Sequence, residues 1–114
     1  MKILTICRAG LVRSVALADV LKLHFEPTDV LPMGIDFNSD STKKMLYEWA
    51  DKIIVMEQHY LDKLPDEFKS KTLTCEVGPD IYGNSHHPDL INKVFRWVRD
   101  NQGFLEIKEH NRIL

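Results

Sequence analysis

An apolar run at the start of the chain, Lys2 to Ile6, stops at Cys7, and after a loop containing Gly10 the chain resumes at Ser14 as a long apolar stretch. The first run is too short for a helix and carries β-branched residues, so it reads as a buried strand. From Ser14, the residues Val15, Ala16, Leu17, Ala18, Val20 and Leu21 lead to Phe25 and then Pro27, the pattern of a largely buried helix stopped by proline. A strand feeding a helix through the eight-residue loop Cys7–Ser14 is the first half of a βαβ unit. Its chirality is fixed, because the next strand must return parallel through a right-handed crossover.

The rest of the chain continues the alternation. Val30 to Ile35 reads as a second strand, and Pro32 and Gly34 place it at a sheet edge. Asp40, Ser41 and Thr42 are capping-type residues before Met45, Leu46, Trp49 and Ala50, which recur at helical spacing. Lys52 to Met56 is a strand of central type, His59 to Leu64 a short helix ended by Pro65, and Lys71 to Val77 a fourth strand. A turn-rich segment, Gly78 to Pro88, precedes a helix whose apolar face is Leu90, Ile91, Val94, Phe95 and Val98, with Gly103 expected to end or kink it. The expected fold is therefore α/β with three layers: about four parallel strands, helices on both faces, and one domain over residues 1–114. Ligands of such sheets bind beyond the carboxyl ends of the strands, which brings Cys7 and the segment around Asp80 to one edge.

Composition narrows the function classes. The chain has 114 residues, 44% hydrophobic and 28% charged, enough to bury roughly two-thirds of its unfolded surface without disulfides or a structural metal. A net charge of −2 argues against a nucleic-acid footprint. No apolar run approaches the roughly 20 residues that span a bilayer, and the first residues lack a signal-peptide pattern, so a membrane role is not expected. Cys7 and Cys75 then read as reduced thiols of a cytoplasmic protein. His86 and His87 are adjacent and point apart, with no third ligand at a recognisable spacing, so no metal and no other cofactor is expected.

The chemistry sits in the first loop. Phosphoryl transfer needs a nucleophile, compensation of negative charge and a proton donor. Cys7 precedes a helix N-terminus, where unpaired N–H groups and the helix dipole stabilise an anion such as a thiolate. The candidate phosphate-binding residues are Arg8, Ala9, Gly10, Leu11, Val12, Arg13 and Ser14, whose successive amides can form a nest around phosphate oxygens. Gly10 tolerates the positive φ such a curl needs, and Arg13 supplies a two-pronged donor that a lysine would not. Ser14 is placed to hydrogen-bond the Cys7 sulfur. The competing reading of Cys7 is a small buried hydrophobe at a strand end.

These residues resemble the low-molecular-weight protein tyrosine phosphatases, which carry Cys-x5-Arg-Ser directly after the first strand, as at Cys7, Arg13 and Ser14. The segments Trp49-Ala50-Asp51-Lys52-Ile53-Ile54-Val55-Met56 and Gly78-Pro79-Asp80-Ile81-Tyr82-Gly83-Asn84 are similar to the family's later strand and acid loop. Three departures stand out: Gly10 replaces the usual Asn that braces the loop, Val12 stands where many members have a second cysteine, and Val15 replaces a common proline. The resemblance implies that Cys7 is the nucleophile, Arg13 the phosphate clamp and Asp80 the general acid and base, with Pro79-Asp80 reversing the family's Asp-Pro order. Asp89 is the other candidate acid, although in the first helical turn it can simply serve the dipole. Tyr82 is the candidate wall of the substrate slot, or a loop-packing residue.

The implied substrate is a phosphotyrosine protein or a small aryl phosphate. A non-catalytic phosphate or phosphoprotein binder remains the alternative from another class. An arsenate reductase is a third reading, but it would need cysteines to shuttle a disulfide, and Cys75, otherwise an inert thiol in the fourth strand, is the only one beyond Cys7.

Overall fold

A computed structural model describes residues 1–110. Strand β1 (Lys2–Cys7) runs into helix α1 (Arg13–His24), and a two-residue strand β2 (Phe25–Glu26) precedes β3 (Asp29–Gly34). Helix α2 (Asp40–Trp49) leads to β4 (Lys52–Val55), a 3-10 helix over Gln58–Lys63, the short α3 (Asp66–Lys69) and β5 (Thr72–Thr74). After a loop come α4 (Pro88–Asp100), α5 (Gln102–Leu105) and β6 (Lys108–Glu109). The main sheet has the order β3-β1-β4-β5 and every pairing in it is parallel.

Alternation along the strands sorts the core into two layers. Ile3 and Cys7 of β1 and Ile54 of β4 join Leu17, Leu21, Leu90, Val94 and Val98 of α1 and α4 on one face. Leu4, Ile6, Ile53 and Val55 join Tyr47, Tyr60, Leu64 and Phe68 on the other. The period of two in a strand buried on both sides is what produces this split. Thr5 is the fully buried polar residue within β1, and its hydroxyl donates to the Ser14 carbonyl at 2.8 Å, tying β1 to the start of α1.

The expected four-stranded parallel α/β sheet is present, with β3 at an edge as its Pro32 and Gly34 imply. Several boundaries differ. The fourth strand spans Thr72–Thr74 rather than Lys71 to Val77: the Cys75 amide still donates to Val55 at 2.8 Å, and then the backbone turns away at Gly78, φ +84°. The cap of α2 is Ser39, whose hydroxyl accepts from the Thr42 amide, one residue before the Asp40-Ser41-Thr42 group. The last long helix breaks at Asn101, not at Gly103, which lies inside α5; the left-handed residue that closes α5 is Glu106, φ 55°. The β2–β6 antiparallel pair was not foreseen, because two-residue strands carry no periodic signal. Among the described residues no helix is long and apolar enough to cross a membrane.

Candidate active site

The loop between β1 and α1 closes around the Cys7 sulfur. Sγ lies 3.0 Å from Ser14 Oγ and accepts from the Gly10 amide at 3.2 Å. Cys7 and Ser14 are both buried, so the sulfur sits at the floor of the loop and not on an open surface. The loop is pinned to β3, which ends beside it: the Ile35 amide donates to the Cys7 carbonyl at 2.9 Å and the Asp36 amide to the Arg8 carbonyl at 3.1 Å.

Gly10 shows why the residue at this position is small. Its φ is +76°, and a Cβ there would lie 2.6 Å from the Gly34 nitrogen. Conversely, a Cβ on Gly34 would lie 2.4 Å from the Ala9 carbonyl carbon. Two glycines thus let the loop rest directly on the end of β3, and direct backbone packing stands where a bracing Asn side chain would need space.

Arg13 is 1% exposed, although it opens a helix. Nη1 donates to the Gly78 carbonyl at 3.2 Å, and Nη2 donates to Glu57 Oε2, also at 3.2 Å. Among the described residues its buried Nε has no hydrogen-bond partner. Burial opposes charge on this guanidinium, but the Tyr60 hydroxyl and the Glu57 carboxylate outweigh it and hold its pKa above the ordinary arginine value. For Glu57, partial burial favours the neutral acid, yet the hydrogen bond from Tyr60 and the charge of Arg13 hold the carboxyl below its usual range. The Tyr60 phenol is pushed up to about 12, first by burial and then by Glu57. Glu57 and Tyr60 were not singled out from sequence. The available signal was a carboxylate one residue past Met56, beyond the carboxyl end of a central strand.

The other candidates divide. Asp80 is exposed on the loop whose first residue, Gly78, is held by Arg13, so the same guanidinium touches the stretch of chain that carries the candidate acid. Asp89 is exposed in the first turn of α4, with its amide capped by His87 Nδ1 at 3.2 Å. Arg8 is exposed and pairs with Asp36 at 3.5 Å, which also meets Lys63 at 3.5 Å. Tyr82, open from sequence as a slot wall or a loop-packing residue, is 7% exposed in the core, its hydroxyl donating to the Val77 carbonyl and accepting from Lys93 Nζ at 2.8 Å. Packing beneath the loop satisfies both its ring and its hydroxyl. Val12 packs against the core as the residue before α1, while Leu11 stands 73% exposed at the top of the loop. Cys75 is fully buried, and burial, helped by Glu76, pushes its thiol far up. Among the described residues no group of three or more His, Cys, Asp or Glu side chains is arranged to hold a metal ion.

No protein-family model matches the sequence, and no curated protein resembles it in sequence. Solved structures do match. The YwlE arginine phosphatase from Geobacillus stearothermophilus is 18% identical with a TM-score of 0.61, the alignment covering 99% of each chain. The tyrosine phosphatase Wzb from Escherichia coli K30, in complex with sulphate, is 20% identical with a TM-score of 0.59, over 87% of this chain and 96% of that one. Vibrio vulnificus Wzb, in complex with benzylphosphonate, is 17% identical with a TM-score of 0.52, over 87% of this chain and 97% of that one. At such identities a likeness establishes architecture, and over nearly its whole length this chain has the low-molecular-weight protein tyrosine phosphatase fold.

Proposed function

We propose that the protein is a phosphomonoester hydrolase that works through a phosphoryl group held on Cys7, acting on phosphotyrosine or a small aryl phosphate. The observation that carries this reading is the pairing of a cysteine sulfur, ringed by Ser14 Oγ and the Gly10 amide, with a buried arginine whose Nε has no partner among the described residues. A thiol, a loop of backbone amides and a planar cationic donor at one helix N-terminus are the parts that a site for a tetrahedral dianion needs.

In the first step the Cys7 thiolate attacks phosphorus, the P–S bond forms and the P–O bond to the leaving group breaks, while Asp80 gives its proton to the departing oxygen. Arg13 and the loop amides hold the equatorial oxygens throughout. In the second step a water gives a proton to Asp80 and attacks phosphorus, the P–S bond breaks, and inorganic phosphate leaves with Asp80 protonated again. The Ser14 hydroxyl donates to the sulfur as it regains its negative charge. Support for an aromatic leaving group comes from three exposed apolar side chains, Leu11, Phe37 and Ile81, which are 73%, 70% and 76% exposed. They belong to the nucleophile loop, to the segment after Asp36 and to the loop carrying Asp80, and an aryl ring fits such apolar edges. Cys75, buried and held protonated, does not support a disulfide shuttle of the arsenate reductase kind.

The test is release of p-nitrophenol from p-nitrophenyl phosphate, and of phosphate from phosphotyrosine and phosphoarginine, by wild type, Cys7→Ser and Asp80→Ala. Turnover of the aryl esters that vanishes in folded Cys7→Ser is the expected result. Turnover that survives Cys7→Ser refutes the mechanism, and tight vanadate binding by wild type without any turnover would instead make the chain a phosphate-binding module.

A further inference from the structure

We propose that Glu57 is the positioning residue for Arg13, setting the plane of its guanidinium so that the Nε edge faces the phosphate loop. This rests on Arg13 being the phosphate ligand of the proposed reaction. A guanidinium is planar, so anchoring both terminal nitrogens fixes its orientation. The two anchors are the Gly78 carbonyl on Nη1 and the Glu57 carboxylate on Nη2, each at 3.2 Å, and the nitrogen left over is the buried Nε. Both bonds have a cationic donor, but only the carboxylate adds an opposite formal charge, making the bond an ion pair as well.

The backbone delivers Glu57 with little freedom. The preceding residue, Met56, is fully buried and its amide donates to the Ile6 carbonyl at 2.8 Å, one residue short of the nucleophile. The following residue, Gln58, donates its amide to Glu76 Oε2 at 3.3 Å, just before the chain reaches Gly78. Tyr60, itself buried, favours the charged forms of both the carboxylate and the guanidinium. The acid is thus built into the same sheet edge as the nucleophile and is held from both sides.

The competing account makes Glu57 a counter-ion that merely permits Arg13 to be buried. The two accounts differ in sign. A carboxylate so close to an anion site repels the incoming dianion, so removing its charge without disturbing Arg13 should tighten phosphate binding. If Glu57 orients Arg13, removing it loosens the clamp and phosphate binds more weakly.

Calorimetric titration of inorganic phosphate into wild type, Glu57→Gln and Glu57→Asp decides between them, alongside p-nitrophenyl phosphate kinetics and thermal unfolding. The expected result for Glu57→Gln is a phosphate Kd raised about tenfold to a hundredfold, and a kcat lowered by a similar factor. Glu57→Asp, which keeps the charge on a shorter arm, should show the same direction with a smaller change. Phosphate affinity in Glu57→Gln equal to or above that of wild type overturns the proposal. If Glu57→Gln does not fold, an unchanged affinity and kcat in Glu57→Asp overturns it instead. A wild type that binds phosphate without turnover would sink the hydrolase reading alone, leaving the binding series to judge Glu57. A wild type that binds no phosphate overturns both.

Discussion

Replacing Gly34 by alanine tests the contact on which the Cys7–Ser14 loop rests. Gly34 pairs in register with Cys7 at the end of β3, and a Cβ there would lie 2.4 Å from the Ala9 carbonyl carbon, 2.5 Å from its oxygen and 2.9 Å from its Cα. Comfortable contact begins near 3.4 Å, so Ala9 and β3 must separate by about 1 Å. All the atoms met are backbone, and none can swing aside as a side-chain tip would. Overpacking of this kind costs about 1–3 kcal/mol, which for a domain of this size lowers Tm by roughly 3–15 °C. The protein should still fold. Moving a catalytic loop by about 1 Å, however, costs on the order of a hundredfold in rate. Steady-state kinetics with p-nitrophenyl phosphate, together with thermal unfolding, should show kcat/KM down by about that factor in a folded variant. Gly103→Ala is the control, since a Cβ there meets nothing within 4 Å, and it should leave kcat/KM unchanged. A Gly34→Ala protein within twofold of wild-type kcat/KM would refute the claim that this backbone contact sets the loop's geometry.

Asp80→Asn should lower kcat on p-nitrophenyl phosphate by about 10²- to 10⁴-fold, while Asp89→Asn leaves kcat alone and only lowers Tm slightly; the reverse pattern would exchange their roles. The Glu57 carboxyl is held below its ordinary value in the folded protein, so it contributes stability that is present above the unfolded value of about 4.3 and is lost as pH falls through the lower folded value. Thermal melts should therefore show the stability gap between wild type and Glu57→Gln closing on acidification below about pH 4.3, and a gap independent of pH would contradict this. Tyr82→Phe deletes a buried hydroxyl bonded to Val77 and Lys93, which should cost about 1 kcal/mol in denaturant unfolding yet leave KM for aryl phosphates unchanged; a raised KM would return Tyr82 to the substrate slot.

The loop between β1 and α1 was legible because its parts are local: Cys7, Gly10, Arg13 and Ser14 lie on one short stretch, and their placement follows from a strand entering a helix. The places of two strands were legible for a similar reason, since Pro32 and Gly34 mark β3 as an edge and the apolar Ile53-Ile54-Val55 run marks β4 as central, while the order β3-β1-β4-β5 came from the structure. What escaped depended on distant pairs. Glu57 meets Arg13 only when β4 is laid beside β1, and the contact between Gly10 and Gly34 exists only across the β1–β3 pairing. Tyr82 was left open between slot wall and loop packing because a tyrosine in a loop beside a candidate acid looks the same in sequence whether its ring turns outward or, as here, inward with its hydroxyl meeting Lys93.

The most direct measurement of the central claim is acid quenching of the protein during turnover of an aryl phosphate, followed by peptide mass spectrometry. The expected result is one phosphoryl group on the peptide containing Cys7, absent from Cys7→Ser and accumulating in Asp80→Ala if the second step becomes limiting. Steady turnover with no phosphoryl group on Cys7, or with the group on another residue, would contradict the account.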